Sequence, residues 1–475
     1  MRAVLTAALM TVSMLNPRLC AAQEQPQSDP VLTLDEVLRS SAQYGPQIVE
    51  ALARIRQAQG RALSAEGAFD TVFDVDARSR ALGYYDGTLV EGRATQPLTD
   101  NGGYVYGGYR VSRGTFPIYE DQSYTNRLGE VKVGGLYALM RGRLIDERRA
   151  RRTLAAGDLD IARFEARATA IGVQRQAMDA YQNWLAAGLR LRAYRDLLDL
   201  AQRRRGGLNR QVQLGARAEI LVTENEQNLV RRRALVVRAE QDVQTAANRL
   251  SFFLRNENGE PIVPRLEQLP ADSSALLRVT SRLQDAALLI RPDIRTAGAK
   301  IEQALTKLAL AENDLRPRLD LRVEASKDLG DDGYGGTSRT PLEGIVGVRL
   351  TVPLQNRAAK GKVVEAQAEL DAVEARRRTI RDQIQIEING ILIALDGGAR
   401  LVETAREELA LAERLAAAER RRFELGSSDF FLVNQREDTA TDARVRLIEA
   451  EARQAGARAE LIAATADTDA LQLDF

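Results

Sequence analysis

Few residues of this 475-residue chain are equipped for chemistry. It has no histidine and one cysteine, Cys20. It has no glycine-rich phosphate loop and no cluster with metal-ligand spacing. Covalent, acid–base and metal-assisted catalysis each need such a constellation, so neither an enzyme nor a cofactor is expected. Charge is abundant but balanced, 67 Lys and Arg against 66 Asp and Glu, with both signs interleaved, which gives no support for nucleic-acid binding. The arginine runs 203–205, 231–233, 376–378 and 420–422 stand among glutamates at helical spacing, where solvated ion pairs account for them. Two small clusters are distinguished by place. Asp429, Phe430, Phe431 and Gln435 follow Gly426, and Glu219 and Glu224 follow Gly215. Asp429, after Gly426-Ser427-Ser428, reads as a helix cap.

The elements that hold these clusters follow from proline. None occurs from Ile118 to Glu260 or after Pro353, although the chain has 13. Proline breaks helices, so its absence permits very long ones. Both gaps carry an Ala/Leu/Arg/Glu pattern, and each is interrupted by a Leu-Gly pair, Leu214-Gly215 and Leu425-Gly426, 211 residues apart. Glycine lets a helix end in the left-handed conformation and the chain reverse. Each gap therefore reads as a helical hairpin, over 142–254 and 355–466, with a long arm first. At about 1.5 Å per residue the long arm from Gly142 spans on the order of 100 Å. Leu401, Leu409 and Leu415 continue an apolar stripe, as do Leu221, Leu235, Val236 and Val243.

Residues 1–22 read as a secretory signal, with Arg2, an apolar stretch from Ala3 to Leu15, and Cys20-Ala21-Ala22 before the cut. Lipidation of Cys20 is the rival, and Leu19 counts against it. Cleavage after Ala22 leaves a mature chain without cysteine, held by packing alone. Thr33 caps a first helix, and a second runs from about Gln47 to Ala68. Alternation then marks strands near Val72–Arg78 and Glu130–Met140, with a Gly/Tyr-rich stretch at 83–129 that reads equally as loop or as further strands. The second half repeats the order: a helix over Pro292–Leu315, strands near Arg318–Glu324 and Gly344–Leu354, then the long arm. Such repetition is the mark of internal duplication.

No later segment is apolar enough for a spanning helix, so entry into a membrane requires a β-barrel. About four strands per chain cannot close one, since about eight are needed. Three copies sharing one barrel give twelve. A soluble sandwich on coiled coils is the competing architecture.

Several segments then resemble the TolC-like outer-membrane factor family. Arg291-Pro292-Asp293-Ile294, leading to Leu315-Arg316-Pro317, is similar to its opening of the second repeat. Val348 to Leu354 resembles its strand ending in V-P-L. Val212-Gln213-Leu214-Gly215 and Phe423-Glu424-Leu425-Gly426 resemble its Y-x-x-G turn, with Val and Phe in place of Tyr. The resemblance covers about 32–466. It implies a mainly α fold with duplicated hairpins and a homotrimer with a 12-stranded barrel in outer-membrane lipid. It further implies a helical tunnel in the periplasm that meets a periplasmic adaptor and an inner-membrane transporter of RND or ABC type. The first repeat would occupy 23–254, an equatorial linker 255–290, the second repeat 291–466 and a tail 467–475.

The resemblance places Gly215 and Gly426 at the periplasmic tip. Its acidic constriction is not matched, because Leu432 and Gln435 stand where relatives carry aspartate. Candidates for a constriction are thus Asp429, Phe430, Phe431, Gln435, Glu219 and Glu224. Arg420, Arg421 and Arg422, one turn from the tip, are candidates for adaptor contact. The expected function is a passive exit duct of a tripartite efflux pump or type I secretion system. The alternative is a periplasmic adaptor or coiled-coil scaffold.

Overall fold

A computed structural model describes residues 31–270, 290–335, 339 and 341–473. The expected leader with Cys20 and most of the second half of the expected linker lie outside the described residues.

Helix α1 (Leu34–Tyr44) opens with a reciprocal cap: Thr33 Oγ1 accepts from the Glu36 amide and Glu36 Oε2 accepts from the Thr33 amide. Helix α2 (Pro46–Glu66) starts on a proline, which costs nothing in the first turn. Six strands follow in two groups, β1 (Val72–Ser79), β2 (Thr88–Pro97), β3 (Tyr104–Arg113) and β4 (Glu130–Ala138), then, much later in the chain, β5 (Arg318–Asp328) and β6 (Glu343–Thr351). Between the groups run α3 (Glu147–Gln213), α4 (Ile220–Leu250) and α5 (Pro292–Asp314), and after β6 come α6 (Arg357–Glu424) and α7 (Phe430–Ala464). Helices α3 and α6, of 67 and 68 residues, are the expected long arms.

The helices stand four abreast. Near the sheet α2, α3, α5 and α6 pack side by side, and further away α4 and α7 take the places of α2 and α5. The buried residues of α6, among them Ala359, Ala366, Leu370, Ile384, Ile388, Ile391, Ala405, Ala412 and Ala416, recur at intervals of three, four, seven and fourteen, the seam of a left-handed coiled coil. Alanine at so many of these positions lets the helix axes come close. The largest core lies midway along α3. There Tyr181, Trp184, Met178 and Leu191 meet α1, α4, Leu269 and the chain's end at Leu471 and Leu473. Gln174 Nε2 ties this belt together, donating to the carbonyls of Leu38 at 2.8 Å and Leu471 at 3.0 Å. The tail is thus part of the helical core; its alternating Leu471 and Leu473 are not in a strand.

All six strands form one antiparallel meander in the order β1-β2-β3-β4-β5-β6. The expected count of about four is corrected. The four sequence-marked strands are present, and the undecided stretch 83–129 supplies β2 and β3. Its glycines at 92, 107 and 108 hid the alternation, because a residue without a side chain carries no polarity to read. No described helix is long and apolar enough to cross a membrane.

Candidate functional site: the hairpin tips

Both hairpins turn in the same way. At the first, the Gly215 amide donates to Val212 O and the Ala216 amide to Gln211 O, both at 2.9 Å, with Gly215 at φ +67°. At the second, Gly426 donates to Phe423 O at 3.0 Å and Ser427 to Arg422 O at 2.8 Å, with Gly426 at φ +76°. This is the Schellman closure, which satisfies the last carbonyls and needs a left-handed residue. Asp429 then caps α7, accepting from the Phe431 amide at 3.4 Å, as the capping reading expects.

Aromatic and cationic groups join the two tips. Phe423 and Phe430 have ring centroids 5.9 Å apart. Arg217, from the first turn, lies over Phe423 at 5.0 Å, and Arg204, from α3, over Phe430 at 5.6 Å.

Just beyond them is a buried charge cluster. Arg232 of α4 is fully buried and Glu437 of α7 is 1% exposed in its side chain. Arg232 donates to Glu437 Oε2 at 3.2 Å, to Asp438 at 3.0 Å and to the Leu197 carbonyl at 3.0 Å. Arg204 also contacts Glu437 and donates to Asn434 at 2.8 Å. Arg420 of α6 approaches Glu437 at 3.7 Å. One carboxylate therefore binds arginines from three other helices, and it joins the first hairpin to the second. Burial pulls the Arg204 guanidinium below its ordinary pKa, and the charge of Glu437 works against that fall.

These arginines belong to runs that read as solvated faces. Arg203 and Arg205 do remain exposed, but the middle residues Arg204 and Arg232 turn inward. The signal was present in the spacing. Leu197, Ala201, Arg204 and Leu208, like Leu229, Arg232, Val236 and Ala239, step by three and four along a buried seam. A charge on a core register asks for a buried partner.

The constriction candidates are divided by the structure. Glu224, Phe430, Phe431 and Gln435 share an open groove of about 960 Å³ between α4 and α7, with Arg231 and Asp442 on its walls. Phe430 is buried and Phe431 is 68% exposed. Glu219 and Asp429 are exposed and do not line this groove. Asp442 stays exposed on the groove wall; partial desolvation there raises its pKa, Asp438 adds to the rise, and Arg446 and Arg231 oppose it. Of the adaptor candidates, Arg420 faces Glu437. Arg422 folds back to Glu419 at 3.4 Å and Ser427 O at 3.3 Å, and Arg421 is exposed. Among the described residues no group of acids, histidines or cysteines is arranged to hold a metal ion.

Comparison with known proteins agrees with this architecture. Residues 283–467 match the family model described as outer membrane efflux protein. Among solved structures the chain is similar to VceC of Vibrio cholerae, with 15% identity and a TM-score of 0.62 over 91% of this chain and 96% of that one. It is similar also to the open-state MtrE channel of Neisseria gonorrhoeae (15%, 0.64, covering 91% and 88%) and to the CmeC channel of Campylobacter jejuni (14%, 0.60, covering 97% and 94%). No curated protein matches in sequence. The second half of the chain thus carries the outer membrane efflux protein domain, on a molecule with the fold of the TolC-like outer-membrane channels.

Proposed function

We propose that this chain is the exit duct of a tripartite efflux pump or type I secretion system. It assembles as a homotrimer whose sheet sits in the outer membrane and whose helices cross the periplasm to an adaptor and an inner-membrane transporter. The carrying observation is the joining of one sheet with an exposed apolar face to helices of 67 and 68 residues. A sheet with one apolar face and no covering layer suits hydrocarbon. A helix of that length spans on the order of 100 Å, far beyond what a compact domain uses.

The tips at Gly215 and Gly426 are the periplasmic end in this reading. The Arg232–Glu437 cluster holds the two hairpins of one chain together there, and opening the duct requires hairpins to move apart. In this reading energy and cargo selection come from the transporter. The test is fractionation and conductance. The detergent-extracted outer membrane is expected to yield a trimer that dissociates on heating and conducts in planar bilayers. A monomer confined to the soluble periplasm, or to an inner-membrane complex as an adaptor would be, overturns the reading.

A further inference from the structure

The sheet has a polarity that runs through all six strands. Cross-strand register places Phe73, Val75 and Ala77 of β1 beside Ala94, Gly92 and Val90 of β2. Those align in turn with Gly107, Tyr109 and Val111 of β3, and then with Val133 and Val131 of β4. Val133 and Gly135 continue to Ala325 and Val323 of β5, which face Gly344 and Val346 of β6. Followed to the strand ends, this face carries only two charges, Arg113 and Lys327, both at the end remote from the helices. Most of the larger apolar members are exposed, among them Val90 at 38%, Val105 at 46% and Val346 at 73%, and Val111 is half-buried.

The opposite face is charged. Glu130 on β4 contacts Arg110 on β3, and Lys132 reaches Glu324 on β5 at 3.1 Å. Arg322 pairs with Glu324 at 2.7 Å, and Tyr106 of β3 donates to the same carboxylate. This is the pattern of a wall between lipid and water, and β2 and β3 carry it as well, with Gly92 and Gly107 interrupting an apolar face that holds no charge but Arg113.

Two features place β2 and β3 inside the wall. They stand between β1 and β4, hydrogen-bonded on both sides, so the ladder has no gap for β1 and β4 to close without them. If they lay outside the membrane as an extracellular hairpin, Val90, Val105, Tyr109 and Val111 would present an uncovered apolar face to water.

The ends of the sheet are open. Among the described residues, β1 and β6 have no partner on their outer edges. Alternation along the meander makes them run in opposite directions, so β6 of one copy meets β1 of the next antiparallel. An open edge in hydrocarbon is untenable, and a second copy of this chain is the occupant that supplies the matching edge.

We infer that every chain contributes six membrane-crossing strands, so that three chains close an 18-stranded barrel with a mouth about 1.5 times as wide as a 12-stranded one, since diameter grows nearly linearly with strand number. The inference rests on the outer-membrane reading above, and the experiment separates the two. Single cysteines carrying a nitroxide are placed at Val90, Val105 and Val346 on the apolar face and at Thr95 and Arg349 on the charged face of the reconstituted trimer. The first three are expected to relax with oxygen and be shielded from a water-soluble nickel chelate, and the last two to show the reverse. Water exposure at Val90 and Val105 with lipid exposure at Val346 overturns the six-strand wall and leaves the membrane reading standing. Water exposure at Val346 as well overturns both. Because labelled variants can fail to assemble, a cryomicroscopy section through the barrel of the unmodified trimer provides the second measure. Eighteen strands support the inference and twelve refute it.

Discussion

Glu437 and Arg232 carry the largest residue-scale consequence. A buried ion pair contributes little net stability over a well-packed apolar pair, but stranding a buried charge costs about 3–5 kcal/mol. Losing Arg232 removes its hydrogen bonds to Glu437 while Arg204 and Arg420 still face that carboxylate, so the cost falls toward the lower end of that range. Arg232→Met is therefore expected to lower the unfolding midpoint strongly and to raise resting conductance through loosened tips. Arg203→Ala removes a solvent-exposed pair with Asp199 and is expected to cost no more than about 0.5 kcal/mol. Denaturant unfolding of the two variants side by side checks the contrast, and equal losses would show that the inward turn of Arg232 is irrelevant. Asp442 gives a pH test. Its folded pKa is raised, so its contribution to stability is complete below the unfolded value of about 3.9 and is lost as pH rises through the folded value. Asp442→Asn mimics the protonated form, so it is expected to melt slightly higher than the parent at pH 7, the effect being small because solvent screens this exposed group, with the difference vanishing near pH 3. Residue identity alone made Asp429 legible as a cap, because the chemistry of a cap is local. Glu437 was not legible in the same way. Its partners come from α3, α4 and α6, more than two hundred residues away in two of the three cases, and only its seam position hinted at them.

At the scale of elements, the two Leu-Gly turns are where the sequence was most readable. Length came from missing prolines, direction from glycine, and the two Schellman closures agree to within 0.1 Å in their shorter-range bond. Gly426→Ala puts a side chain into the left-handed region, at a cost of roughly 1–2 kcal/mol. No atom crowds that position, so the cost is conformational and stays local. Faster hydrogen exchange at the amides of Gly215's counterpart, residues 423–431, with an unchanged core around Trp184, is the expected result. A global loss of stability would contradict a tip that opens by itself. Asp429→Ala should add about 1 kcal/mol of fraying at the start of α7 without altering the turn. The strands were less legible. β5 and β6 alternate cleanly, whereas β2 and β3 interrupt their apolar face with glycine, and Gly134 in β4 exists to admit the Tyr106 ring, which would lie 2.7 Å from any added Cβ. A period-two signal weakens wherever packing demands the absence of a side chain.

At the scale of the whole molecule, the surface left uncovered indicates assembly. Besides its buried seam, α6 carries a second apolar stripe, with Ile386 71% exposed, Ile393 75%, Leu411 55% and Leu415 50%. On the opposite margin of the four-helix layer, α4 exposes Val230 and Val237, seven residues apart. Both margins lie below the open sheet edges, α6 under β6 and α2–α4 under β1, so one ring closure covers all of them. Duplication was readable in sequence, but closure was not, because it depends on which apolar faces remain after each chain has folded. Replacing Ile386 and Ile393 together with glutamate places charges on this margin without touching the seam at Ile384, Ile388 and Ile391. Each apolar side chain buried at an interface contributes about 1.5–3 kcal/mol, and burying an unpaired carboxylate costs more. The double variant is expected to run as monomer on unheated gels while retaining helical circular dichroism and the buried emission of Trp184. A variant that still forms the heat-sensitive trimer would place the subunit contact elsewhere, and one that loses the Trp184 signal would show that the stripe serves the chain's own fold.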